Sequence, residues 1–281
     1  MIINNKFFLQ LFFIVVFWGH CLNSDTPIIN VWVHGTYPAL NLLTSKKLPF
    51  RSWVYVKNGI SLAKELPENY YFHQLAKSCH SFDSEQFNID TFYTYGWYSS
   101  KMRPGHRKVE GEKLFQSLSL LLEEYKKQHE TIILRLIGFS HGGNVVLHAV
   151  SHLPFAIDGV TVNVVLLATP IQESSCYFVN NSCIHRVYSF YSDADWIQRI
   201  DAQIFHHDAP HGCPVWSCRR FKNTEEVLQV RLKIDDKFIG HSTYRSYVKY
   251  LPEMLRIVNE YVGDKKKKGH ILLNFKTKDK K

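Results

Sequence analysis

The sequence predicts an α/β protein: a mainly parallel central sheet with helices on both faces. One feature of the whole chain, one run and one junction carry that prediction. Apolar β-branched runs alternate with helix-like stretches along most of the chain. The run Val160 to Ala168 is apolar on successive residues and not only on alternate ones, as a strand covered on both faces is. The junction from Thr131 to Val150 then reads as strand, sharp turn and helix without a break.

Length and punctuation bound the domain plan. A chain of 281 residues can bury one sizeable core, and no internal repeat is visible. One domain is therefore expected over residues 25–263, after a targeting segment at 1–24 and before a basic tail at 264–281. The first segment sets Lys6 ahead of the apolar block Phe7 to Trp18, which has signal-peptide length and is short for a membrane span. Export is expected, with cleavage or an uncleaved anchor both left open. Six cysteines suit an oxidising compartment, and Cys176 with Cys183 and Cys213 with Cys218 are close enough to staple short loops.

Taken in order, Pro27 to Val33 reads as the first buried strand, ending in His34, Gly35 and Thr36. The stretch from Ala39 to Ile89 has weak periodicity, with a short helix expected over Gly59 to Glu65. Asp90 to Tyr95 is rich in Thr and aromatics, like a strand, and stops at Gly96 and Trp97. After the turn signals Pro104 and Gly105, Val109 to Lys127 carries Leu114, Leu118, Leu121 and Leu122 at helical spacing. Thr131 to Ile137 is the next strand, and Asn144 to Val150 continues as a helix. Val160 to Ala168, Arg186 to Tyr191 and Val227 to Ile234 read as further strands, and Tyr244 to Val262 as a closing amphipathic helix. The polar segment Asp201 to Asn223 interrupts that order and is expected to cover the site as a loop.

Charge and metal-ligand spacing exclude two classes of function. The net charge of +9 sits largely in the lysine tail, not on a face studded with aromatic residues, so nucleic acid is not expected as a partner. The tail reads as solvated. Weak association with an anionic membrane surface, through the tail or the N-terminal segment, is the alternative. His206, His207 and His211 lie near Cys213 and Cys218 but lack tight metal-ligand spacing, so a structural loop is expected and no metal. No cofactor is implied.

The chemistry concentrates at Gly138 to Gly143, Gly-Phe-Ser-His-Gly-Gly. A serine between strand and helix needs small neighbours two residues to either side, and Gly138 and Gly142 provide them for Ser140. Acyl transfer through that serine needs a base, a carboxylate to orient it and N–H donors for the oxyanion. His241, between the last strand and the last helix, is positioned as the base, and Asp193 or Asp195, after a strand end, as the carboxylate. The other histidines have simpler roles: His34 is expected to fix its loop, and His141 and His148 to pack beside the elbow helix.

With these residues in the order Ser, Asp, His, the sequence resembles the α/β-hydrolase family, in particular its small lipases and esterases, over Pro27 to Val262. The elbow is similar to the Gly-His-Ser-x-Gly-Gly of lipases, with Phe139 replacing the histidine. Gly96, Trp97, Ser99 and Ser100 look like a strand-end loop of bacterial members. The resemblance implies oxyanion donors at the backbone N–H of Thr36 and His141. It implies Asp195 as the acid, since bulky Trp196 and Ile197 follow it as in the family, with Asp193 as the alternative. Ser192 and Asp195 also approximate a capping box, a competing use for Asp195. The function implied is hydrolysis of carboxylic esters, small-molecule or lipid, through an acyl-serine. Acyl transfer or thioester hydrolysis on the same residues, and a binding protein that kept the fold without turnover, are the alternatives.

Overall fold

A computed structural model describes residues 26–36, 58–99, 104–154, 157–200, 220–221, 226–263 and 268–277. The targeting segment, the cysteine pair Cys213 and Cys218, the three histidines near it and nearly all of the covering loop lie outside the described residues. Among the described residues nine strands form one sheet: β1 (Ile28–Val33), β2 (Gly59–Leu62), β3 (Phe92–Gly96), β4 (Ile132–Phe139), β5 (Val160–Leu167), β6 (Ile184–Tyr191), β7 (Val227–Ile234), β8 (Lys237–Phe238) and β9 (Gly269–Phe275). Their order is β2-β3-β1-β4-β5-β6-β7-β8, with β9 also on β7; only β2 and β8 run antiparallel to their neighbours. The α/β class with a mainly parallel sheet is thus observed.

The helices are α1 (Tyr71–Phe82), α2 (Pro104–Lys126), α3 (His141–Val150), α4 (Glu173–Cys176), α5 (Trp196–Ile200), α6 (Tyr244–Tyr247) and α7 (Leu251–Val262). On one face of the sheet, α2 and α3 bury Leu114, Leu118 and Val146 against Ile29, Val31, Leu134 and Val164. On the other, α1 and α7 bury Phe72, Leu75, Leu255 and Val258 against Trp32, Val165, Phe190 and Val230. Successive strand residues feed opposite cores, which is why both sets of positions had to be apolar. Among the described residues no helix is long and apolar enough to cross a membrane.

Several elements differ from the sequence expectations. Gly59–Leu62 is an edge strand, followed by only one helical turn, Ala63–Glu65: Ile60 and Leu62 pair with Tyr95 and Tyr93 across β3, and pairing overrides weak local preference. α2 begins at Pro104, because a proline's missing N–H costs nothing in a helix's first turn; the turn signal is the helix start. The closing helix is broken at Val248–Tyr250, just ahead of Pro252. The largest correction concerns the basic tail. Residues Gly269–Phe275 inside it form β9, parallel to β7, with Ile271, Leu273 and Phe275 buried on one face. Asp235 anchors the end of β9 by accepting from Thr277 N and Oγ1. The lysine run before the strand masks a period-two pattern that is otherwise plain.

The expected bridge between Cys176 and Cys183 is not formed, and Cys183 is a free thiol. Hydrogen bonds fix this loop instead. Cys176 ends the helical turn Glu173–Cys176, and a second turn, Tyr177–Asn180, separates it from Cys183. Asn181 then ties the loop to the end of α3, donating to Val150 O and Leu153 O while accepting from Cys183 N. Burial pushes the Cys183 thiol up to about 11, so it stays protonated.

Candidate active site

Strand order fixes where a site can form. From β1 the chain moves outward to β3, then crosses back to β4 on the other side of β1, and continues outward through β5, β6 and β7. The connections after β1 and β4 leave in opposite senses, so a crevice opens between their carboxyl ends. Thr36 follows β1 there, and Ser140 follows β4.

Ser140 has φ 51° and ψ −131°, a conformation costly for any residue with a side chain. Its N–H donates to Leu167 O of β5 at 2.8 Å, and its own carbonyl accepts from Gly143 N at 3.0 Å, so neighbours on both sides hold the strain. The small residues are sterically required. A Cβ on Gly138 would lie 2.4 Å from Gly143 Cα, and one on Gly142 would lie 2.3 Å from Val33 O.

His241 reaches this serine through a hairpin. Asp235 and Asp236 both have positive φ, 47° and 68°, the turn geometry that matches strand twist. Lys233 pairs with β9 on one edge and with β8 on the other, so β8 lies on the edge of β7 that faces β6. The chain thus returns over the end of β6, where Ile239 N donates to Ser192 Oγ at 2.8 Å. His241 Nε2 accepts from Ser140 Oγ at 3.0 Å, and its Nδ1 donates to Asp195 Oδ2 at 2.9 Å. Phe139, the residue that departs from the lipase pattern, packs its ring 5.1 Å from the imidazole.

Asp195 has no solvent exposure. Its other oxygen, Oδ1, accepts from Gln198 N at 2.9 Å and so caps α5. Capping and holding the histidine do not compete, because a carboxylate has two oxygens. Ser192 serves the histidine loop instead of a capping box. Burial, then the Asp195 charge, push the nearby Tyr244 hydroxyl well above the usual tyrosine range. Asp193 is placed differently. It pairs with Arg220 at 2.8 Å and also with Arg231. Partial burial works to raise its pKa, but the two guanidiniums outweigh that and hold the carboxyl below its usual range.

The structure therefore brings Ser140, His241 and Asp195 into one hydrogen-bonded line and leaves Asp193 out of it. An imidazole held this way can take a hydroxyl proton, with the buried carboxylate fixing its tautomer. Thr36 lies beside Ser140, and His141 opens α3 directly after it. Among the described residues no cluster of three His, Cys, Asp or Glu side chains could hold a metal ion. Sequence reasoning missed Gln198, Arg220 and Arg231 and gave Ser192 a capping role in place of its contact with Ile239; apart from the capping contact of Gln198, these partners are 27 or more residues away. No short-range pattern signals such contacts.

Comparison with known protein families finds no match, and no curated protein matches the chain. Among solved structures, the chain is similar to a lipase-esterase related protein from Clostridium acetobutylicum ATCC 824. The two share 11% identity and a TM-score of 0.30, over 91% of this chain and 88% of that one. So distant a likeness adds nothing on chemistry to the geometry just described.

Proposed function

We propose that the chain is a serine hydrolase that cleaves carboxylic esters through an acyl-serine intermediate. One observation carries the reading: a strained serine at a strand-to-helix corner, 3.0 Å from a histidine that is itself 2.9 Å from a fully buried aspartate. In this mechanism Ser140 Oγ attacks the ester carbonyl as its proton passes to His241 Nε2. The backbone N–H groups of His141 and Thr36 stabilise the oxyanion. Collapse breaks the bond to the alcohol, which leaves with the proton from His241. Water, deprotonated by the same imidazole, then attacks the acyl-serine and restores Ser140. Asp195, held to Nδ1, orients the imidazole and stabilises the imidazolium.

A fluorophosphonate probe should label the wild-type protein at Ser140, and Ser140→Ala should abolish labelling while circular dichroism is unchanged. Labelling that persists in the variant would sink the reading. Turnover of p-nitrophenyl esters of increasing acyl length, beside matched thioesters, would then define the substrate class.

A further inference from the structure

Gly35 lies so close to the elbow that a Cβ on it would sit 2.8 Å from Ser140 Cβ. The next residue, Thr36, is thus beside the serine, and its Oγ1 is buried without a hydrogen-bond partner. A hydroxyl can turn its proton to any acceptor that arrives. Leaving it unsatisfied costs free energy that an incoming acceptor returns.

The loop that carries Thr36 is held by His34. Nε2 of His34 accepts from Trp97 N–H at 3.4 Å, which places the ring proton on Nδ1. Nδ1 donates to Gly35 O at 2.7 Å. Trp97 Nε1 in turn donates to His34 O at 2.7 Å, and the two rings stack with centroids 5.7 Å apart. The Gly35 carbonyl belongs to the same peptide unit as the Thr36 N–H. That unit is trans, so its C=O and N–H point in opposite directions, and fixing one aims the other. Burial above all holds the His34 pKa at about 4, which keeps the ring neutral and Nε2 an acceptor.

We propose that Thr36 supplies two donors to the oxyanion, its backbone N–H and its Oγ1 hydroxyl, and that neutral His34 is the positioning residue that holds both in place. The inference rests on the serine-hydrolase reading above. As the bond from Ser140 Oγ to carbon forms, the carbonyl π pair moves to oxygen and the serine proton goes to His241. With His141 N–H the oxygen then has three donors.

The test uses a p-nitrophenyl ester for turnover and a fluorophosphonate for Ser140 labelling. Thr36→Val keeps the side chain's shape without the hydroxyl and should lower kcat by about 10²-fold, with KM within about twofold. Thr36→Ser should restore most of the loss. Wild-type kcat in Thr36→Val, in a protein whose Ser140 still labels, overturns this inference alone; wild-type protein that fails to label overturns the hydrolase reading and this inference with it. His34→Asn retains a donor near the Nδ1 position, and His34→Leu does not. The Asn variant should keep at least about tenfold more kcat at equal KM, and equal rates would remove the positioning role. Imidazole ¹H–¹⁵N spectra of the wild type read the His34 tautomer whether or not the Leu variant folds, and a proton on Nε2 would overturn the arrangement.

Discussion

Asp195 and Asp193 leave β6 on the same loop, two residues apart, into opposite surroundings. Asp195 is fully buried, caps α5 with one oxygen and holds His241 with the other. Asp193 is at the rim, between two half-exposed arginines that also lie over Tyr191 and Phe238. Position in the chain is nearly the same, so the difference comes from desolvation and partner. A buried carboxylate without solvent orients what it touches; a screened one at the rim only fastens a loop. The contrast also shows why proximity to a strand end is weak evidence for a catalytic acid.

The contrast would break first at Asp195. Asp195→Asn retains an oxygen to cap α5 but reverses the preferred tautomer of His241, so turnover should fall by about 10⁴-fold with little change in melting temperature. Steady-state kcat on a short-chain ester is the measurement. An Asp195→Asn enzyme with near-normal kcat would show that the buried carboxylate is not the orienting acid.

Acid unfolding sharpens the same distinction between buried and screened groups. His34 and His148 are both held at about 4, chiefly by burial. In the unfolded chain each takes up a proton near the usual 6.5, while in the folded protein it resists until about 4. Their neutral state is thus free of penalty above 6.5, and stability is lost as pH falls from 6.5 towards 4, roughly 3 kcal/mol for each. Asp193 acts in the same direction but lower on the scale: its lowered pKa stabilises the fold above the usual aspartate range, and that share is lost as pH falls through the folded value. Urea midpoints should therefore drop between pH 7 and pH 4.5. A flat midpoint across that range would show that the histidines are not buried neutral in solution.

The parts of the fold that were legible in the sequence are those where one segment's pattern settles its state. β1, β4, β5, β6 and β7 are covered on both faces, so their apolar runs announce themselves. Ser140 was legible because a strained corner needs glycine at fixed offsets. Elements whose state depends on distant partners were not legible. β2 is four residues long and exists by pairing with β3. α1 mixes His73, Gln74, Lys77 and His80 with its buried Phe72, Leu75, Ala76 and Cys79, which blurs its stripe. β9 was hidden by lysines that say nothing about the alternate residues after them. The choice of Asp195 over Asp193 came from a resemblance to a family, whereas the physical reason, full burial of Asp195 with one oxygen on His241, is a tertiary fact.

The smallest expected effect is at Asp193 itself, and it completes the comparison. Asp193→Asn removes one charge but leaves an oxygen that can accept from one guanidinium. Arg220 and Arg231 remain 39% and 43% exposed in their side chains, so water solvates the charge that loses its partner. Their stacking on Tyr191 at 3.9 Å and Phe238 at 4.7 Å does not depend on the carboxylate. The loop also keeps the bond from Ile239 N to Ser192 Oγ. Stability should therefore fall by less than about 1 kcal/mol, as for other solvent-screened pairs, and kcat should stay within about twofold of wild type. The stability difference should also shrink in 1 M salt, where charges are screened beyond about 3 Å. If Asp193→Asn instead lost turnover on the scale expected of Asp195→Asn, the rim pair would be transmitting to the histidine, and the separation of the two carboxylates into anchor and orienter would fail.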